Sequence, residues 1–410
     1  MIQPGEPTQI PSHIPAELVI DFDATNDAAL KADLFKCLGE LRESAPPIAF
    51  SPYNGGHWMI FDGDAIREVL TSPDRFTSTH ISQGSIAQGG PPMIPLGMDP
   101  PEHGPWRMVL NKYLGPARVL QLDTVIRQKA DEFISPLVGR ENCDFVKEVA
   151  EPMPISIFMA LMGLPFEQFP VFRKLAMTVL GGSSAHAEPA PEVVEANMQI
   201  VGILSELIEQ RRQDPRDDLV SDLVKETIDG EPIGFPELMS MCFVLFLGGL
   251  DTVTNAASFG IRLLASDQSL QQRARNNPDE IPQLAEQLLR QSAFVNTTRM
   301  VKQDTELNGV SLKAGDVVWN ISWAGSNGHS GQSRNLAFGG GAHMCAGIHL
   351  ARLELRAIYE TWFKHIGRFA LAEENEVTMH GGNIMHIKRL LLDLEPLPTS
   401  TRHTPAQQST

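Results

Sequence analysis

Phe338-Gly339-Gly340-Gly341-Ala342-His343-Met344-Cys345-Ala346-Gly347 is the stretch on which the reading of this 410-residue chain turns. Three consecutive glycines let the backbone take positive φ and approach a bulky partner closely, which a run of side chains would resist. Directly after the cysteine, Ile348, Ala351, Leu355, Ile358, Tyr359 and Trp362 recur mostly at spacings of three and four, predicting an amphipathic helix. Cys345 thus falls at a helix N-terminus, where free N–H groups and the helix dipole favour an anion such as a thiolate. A thiolate so placed serves as a nucleophile or a metal ligand, unless the cysteine is only a small buried hydrophobe.

Composition narrows the class. With 42% hydrophobic and 20% charged residues the chain can bury a large core. A formal net charge of −17 and a pI near 5.1 argue against nucleic-acid binding. Cys37, Cys143, Cys242 and Cys345 lie far apart with no Cys-x-x-Cys pair, so neither a zinc site nor a disulfide framework is expected. The N-terminus has no basic segment followed by an apolar run, and the apolar run 241–250 is too short to cross a bilayer. A cytoplasmic protein that engages no membrane is expected. Residues 1–18 read as a flexible N-terminal segment, 19–396 as one domain and 397–410 as a flexible tail, both ends being rich in Pro or polar residues.

Within that domain most long segments read as helix. Residues 48–50 and 57–61 flank Asn54-Gly55-Gly56, a hairpin signal, and Asp64 is placed to cap a helix running through Leu70. Asn308-Gly309 marks a second hairpin, followed by a β-rich run at 316–321. Residues 78–97 form a Ser/Gly/Pro-rich connection. A helix starting near Pro101 then puts His103 and Arg107 on one face, two donors able to serve a carboxylate or simply a solvated surface pair.

A second informative stretch is Phe246-Leu247-Gly248-Gly249-Leu250-Asp251-Thr252-Val253-Thr254-Asn255, inside a helical run from about Phe235 to Ala265. Each interior glycine costs a helix about 1 kcal/mol, and a buried carboxylate needs a partner. Thr252 follows Gly248 by four, so its hydroxyl can engage that carbonyl and help open the helix, leaving room for a small molecule. A close helix crossing at the two glycines, with Asp251 in a salt bridge, would explain the same residues.

Taken together, these motifs resemble the cytochrome P450 family. The cysteine stretch fits Phe-Gly-x-Gly-x-His-x-Cys-x-Gly through Phe338, Gly339, Gly341, His343, Cys345 and Gly347. The likeness runs from about residue 21 to 394 and is nearest to camphor 5-monooxygenase-like members of the bacterial soluble class. It implies a mainly α fold with small β-sheets, and haem b whose iron takes Cys345 as axial thiolate. It further implies that Asp251 and Thr252, beside Gly248, deliver protons to bound dioxygen, and that Arg299, with His103, Arg107 and His343, holds the haem propionates. Two departures stand out: Gln287 replaces the glutamate the family places three residues before Arg290, with Glu286 nearby as a substitute, and the Gly/Ser-rich run 327–335 is short.

Residues 77–105 contain no Phe, Tyr or Trp, and the matching position of the tyrosine that holds camphor's ketone falls near Pro91. A pocket of Met93, Ile94, Val244, Leu247, Val295, Ile384 and Met385 would be apolar and adaptable. The resemblance therefore implies a haem-thiolate monooxygenase, expected to be monomeric, that uses O2 on a small hydrophobic substrate such as a terpenoid or norisoprenoid. The chain has no dinucleotide fingerprint or ferredoxin cysteine spacing, so a [2Fe–2S] ferredoxin and a separate reductase are implied. They would dock on the cysteine side near Arg67, Lys112, Arg334 and Arg352. A haem-thiolate sensor without turnover is the alternative.

Overall fold

Apolar residues at helical spacing dominate the chain, and the segments that carry them fold as helices around small sheets. The computed structural model describes residues 6–81, 91–181, 190–328, 335–373 and 379–395. The tail at 397–410, positions 82–90 of the Ser/Gly/Pro-rich connection, and 329–334 with Arg334 lie outside the described residues.

In chain order, the elements that position the site are β1 (Ile48–Ser51), β2 (His57–Ile60), α1 (Gly63–Thr71), β3 (Phe76–Thr77), α2 (His103–Leu114), α3 (Asp123–Ile134), α4 (Pro152–Met162), α5 (Pro191–Gln213), α6 (Phe235–Ser266), α7 (Ile281–Gln291), β4 (Thr297–Val301), β5 (Val317–Asn320), α8 (Ile348–His365), β6 (Met379–His380) and β7 (His386–Ile387). The largest sheet has the order β1-β2-β5-β4-β3, with β2 and β5 parallel and the other pairs antiparallel. Both predicted hairpins form. Asn54, Gly55 and Gly56 all take positive φ at the first turn, and Asn308 and Gly309 do so between the strands Thr305–Leu307 and Val310–Leu312.

Helix starts differ from the expectation in instructive ways. Asp62, not Asp64, caps α1: its extended backbone lets the carboxylate accept the Ala65 N–H at 2.8 Å, while Asp64 already lies in the first turn. Helix α2 begins at His103, two residues later than Pro101, with His103 and Arg107 still one turn apart. Helix α8 begins at Ile348 behind Gly347, so Cys345 sits in the loop just ahead of it. Residues 6–18 lie against the sheet: Thr8 donates to the Pro52 carbonyl from its amide (2.9 Å) and its hydroxyl (2.7 Å), and Ile14 is buried.

The 32-residue α6 organises the interior. Leu238, Met239, Met241, Cys242, Phe243, Phe246 and Leu250 join one apolar core, where Phe158, Phe172 and Phe246 pack ring on ring. Val253, Ala256, Ala257, Phe259, Ile261 and Leu264 join a second, with Phe145, Trp362 and Phe369 edge to face. A helix shared by two cores must be apolar nearly all round. By length and composition alone α6 could cross a membrane, but 56% of its apolar window is buried in the protein and it carries Asp251.

Gly260 marks where α6 and α8 touch, since a Cβ there would lie 2.0 Å from the Tyr359 hydroxyl. Gly260→Ala should therefore lower the free energy of unfolding by about 1–3 kcal/mol in chemical denaturation through overpacking. Gly202→Ala in α5, where a Cβ meets nothing within 4 Å, should instead raise it by up to about 1 kcal/mol.

Candidate active site

Strand pairing carries an arginine into the interior. Arg299 on β4 stands opposite Val318 of β5 and is 5% exposed. Its Nη1 donates to the Thr298 carbonyl at 2.6 Å, and burial pulls the guanidinium down to about 10. No described carboxylate forms a salt bridge with it. Asp99 acts on it only through space, because the Asp99 carboxylate is occupied by the Thr77 hydroxyl (2.6 Å), the Ser78 amide (2.8 Å) and Lys302 (3.4 Å).

Beside Arg299 the rings of His103 and His343 stand 4.3 Å apart, and both buried Nε2 atoms lack a partner among the described residues. Burial and the nearby cations lower both imidazoles, His343 to about 3, so they are neutral. His80, which sequence reasoning missed, joins this cluster: its Nε2 is 3.1 Å from the Thr298 hydroxyl, and burial and then Arg299 lower it. Only its place just after β3 could have flagged it. A buried cation among donors without partners is a cradle for anionic oxygen atoms.

Arg107 closes the cluster on the cysteine side. Its Nη2 donates to the Met344 carbonyl and its Nε to Asn111 Oδ1 at 2.9 Å, so part of its donor set holds the loop rather than a carboxylate. The cysteine loop folds on itself through Cys345 N–H to Phe338 O at 2.9 Å. Burial pushes the thiol up, against the downward pull of the Gly347 N–H, Arg107 and Arg352. Enclosure thus outweighs the helix-end effect expected from the sequence. Cys345 nevertheless keeps accessible surface, as a residue bordering internal space does.

Helix α6 carries the remaining predicted site residues. Thr252 Oγ1 donates to Gly248 O at 2.6 Å, as the spacing predicted, but the helix stays α-helical throughout instead of opening. The room comes from the missing side chains: a Cβ at Gly248 or Gly249 would meet nothing within 4 Å. Asp251 forms no salt bridge with a described residue. Burial pushes its carboxyl to about 6, and Asn255 Nδ2, bonded to Asp251 Oδ1 at 2.9 Å, pulls the other way. Asn255 Oδ1 in turn accepts the Ile387 N–H of β7 at 3.2 Å. That amide tie was not read from the sequence, because its partner lies 132 residues away.

The seven expected pocket residues divide between the two cores. Met93, Ile94, Val244 and Leu247 pack with the first half of α6, and Val295, Ile384 and Met385 with the second. Val295 and Ile384 form an antiparallel bridge. Five are half-buried, whereas Met93 is 8% and Met385 1% exposed, so Met385 packs as core. Glu286 does not replace the missing glutamate: both its oxygens accept from Arg352 (2.6 and 2.9 Å), and Arg352 lies over the Phe338 ring. The ion pair joins α7 to α8 all the same.

The cytochrome P450 family profile matches residues 187–329. Cytochrome P450(MEG) of Priestia megaterium is 31% identical over 338 residues, 75% of this chain and 82% of the relative. The chain belongs to the cytochrome P450 family. The crystal structure of cytochrome P450 CYP101C1 superposes with a TM-score of 0.83 at 30% identity, covering 94% of this chain and 100% of that one. That of CYP101J2 gives 0.84 at 28%, covering 95% and 100%. The chain is therefore a bacterial P450 monooxygenase whose cofactor is haem with a cysteine thiolate on iron, and whose fold is mainly α. The residues present fit that cofactor: among the described residues Arg299, His103 and His343 pair with no anion, and two propionates would provide one.

If that fit is right, Arg299→Gln removes the buried cation opposite a carboxylate, a contact worth roughly 1.5–3 kcal/mol. The holoprotein should then lose haem to excess apomyoglobin about tenfold faster or more, while an exposed control such as Arg356→Gln transfers at the wild-type rate.

Proposed function

We propose that this P450 hydroxylates a small hydrophobic substrate, a terpenoid or norisoprenoid, with electrons delivered by a [2Fe–2S] ferredoxin and its separate reductase in the cytoplasm. The carrying observation is Asp251: a carboxyl raised to about 6, held by Asn255, one residue from Thr252 and beside the space that Gly248 and Gly249 leave open. A binding or sensing protein has no use for a poised acid at that position.

Haem, when bound, supplies the iron at which dioxygen is activated. Cys345 would hold that iron through its thiolate, and Arg299, His103 and His343 would take the cofactor's carboxylates; Arg107 steadies the loop through the Met344 carbonyl. Insertion of one oxygen atom consumes O2, two electrons and two protons and releases one water. Asp251 is the residue placed to pass those protons inward. The Thr252 hydroxyl hydrogen is engaged by Gly248 O, so its oxygen is left to accept a hydrogen bond from the group receiving the proton. The half-buried Ile94, Val244, Leu247, Val295 and Ile384 offer an apolar surface to the substrate.

For the ferredoxin, Arg67, Lys112 and Arg352 remain candidate contacts. Each already pairs with an acid of this chain, Asp64, Glu226 and Glu286 respectively. Met108 and Met344 are exposed on the elements flanking the cysteine, so the docking face is less basic than the sequence suggested.

The test is turnover of a terpenoid panel with a reconstituted ferredoxin system. Product from at least one member supports the reading; a thiolate spectrum with no oxidation of any would favour a non-turnover protein. Thr252→Ala should still consume reducing equivalents but release peroxide in place of most of the product. A proton donor titrating near pH 6 is protonated below that pH and ionised above it. Coupled turnover should therefore fall as pH rises through about 6, and Asp251→Asn should turn over slowly and lose that limb.

A further inference from the structure

Serines inside helices ordinarily return their hydroxyl to the carbonyl one turn back, as Ser258 of α6 does to Thr254 O at 2.7 Å. Ser240, on the same helix and fully buried, does something else. Its Oγ accepts the Ile94 N–H at 2.9 Å and donates to the Pro92 carbonyl. One side chain thus pairs two backbone groups of another segment, on either side of the buried Met93, through part-buried hydrogen bonds.

The position of this clamp gives it meaning. Ser240 precedes Gly248 by eight residues on one continuous helix, about 12 Å along its axis. Met93 packs in the same core as Met239, Met241 and Phe243, and Ile94, Val244 and Leu247 lie against that core. The Met93 carbonyl also accepts the Gly97 N–H at 2.6 Å, so the clamped stretch is held at both ends. The helix that carries Asp251 and Thr252 therefore also holds the Pro92–Ile94 stretch in place.

We propose that Ser240 is a positioning residue for substrate specificity, fixing the Met93–Ile94 wall relative to the oxygen-handling part of α6. This rests on the reading above that Ile94 lines the substrate pocket, with the buried Met93 beside it in the chain. Without the clamp the wall can shift, a bound hydrocarbon is held less firmly, and more reducing equivalents end in peroxide or water.

The experiment uses the haem-loaded full chain with β-ionone and limonene as probes. It reads the spectral dissociation constant and the product formed per reducing equivalent. Ser240→Ala should weaken binding of whichever probe binds wild type more tightly by about tenfold and lower coupling severalfold, with the reduced carbonyl spectrum unchanged; Ser240→Thr should restore most of both. If Ser240→Ala does not retain haem, Ser240→Cys, which keeps the volume but weakens both bonds, is read in its place. Wild-type binding and coupling in Ser240→Ala, while Ile94→Ala alters them, would overturn the clamp and leave the pocket reading intact. No effect of Ile94→Ala would overturn the pocket reading and the inference with it. An equal loss in Ser258→Ala would reduce the effect to that of any buried hydroxyl, and also overturn it.

Discussion

A guanidinium buried inside a protein must be matched by negative charge, and the Arg299 side chain finds none in contact among the described residues. Among the described residues Arg299 forms no salt bridge, and the buried Nε2 atoms of His103 and His343 have no hydrogen-bond partner. In an apoprotein such a cluster is costly. It becomes favourable when an anionic group fills it, so binding free energy of the cofactor is also folding free energy for this region. Strand β4, the start of α2 and the cysteine loop bring Arg299, His103 and His343 together from distant parts of the chain.

Helix α6 meets the opposite requirement. Its two halves are anchored in separate apolar cores, and the stretch between them has glycine, acid and threonine where packing would favour large apolar side chains. Rigid anchoring on both sides lets that stretch forgo packing of its own. The result is a continuous helix with open surface at Gly248 and an enclosed carboxyl at Asp251. The Asn255 amide links that carboxyl to β7, next to Ile384, while Ser240 links the helix to Ile94. Both segments and the Asp251 carboxyl are thereby tied to a single element.

What the sequence made legible follows the range of the interactions involved. Motifs set by contiguous residues were readable: the loop at Phe338–Gly347, the Gly248–Thr252 hydroxyl contact, and both Asn-Gly turns. So was the family, because those motifs recur at fixed spacing. Contacts between distant segments were not. The Asp62 cap depends on a backbone angle one residue outside the helix; Glu286 meets Arg352 rather than Arg290 because α7 packs on α8; His80 enters the donor cluster only once β3 pairs with β4. The balance at Cys345 also needed the structure, since sequence reveals a helix end but not the depth at which the thiol lies. Packing decides in the same way that Met385 is core and Ile384 is not.

Central to the proposed function is that Cys345 and haem iron share a bond. The most direct measurement is the absorption spectrum of the reduced carbonyl complex, compared between wild type and Cys345→Ser. The account predicts a strongly red-shifted Soret band in wild type, the signature of thiolate ligation, and its replacement by a band at shorter wavelength in the variant. A red-shifted band that survives the substitution would place another ligand on the iron and contradict the assignment at its root.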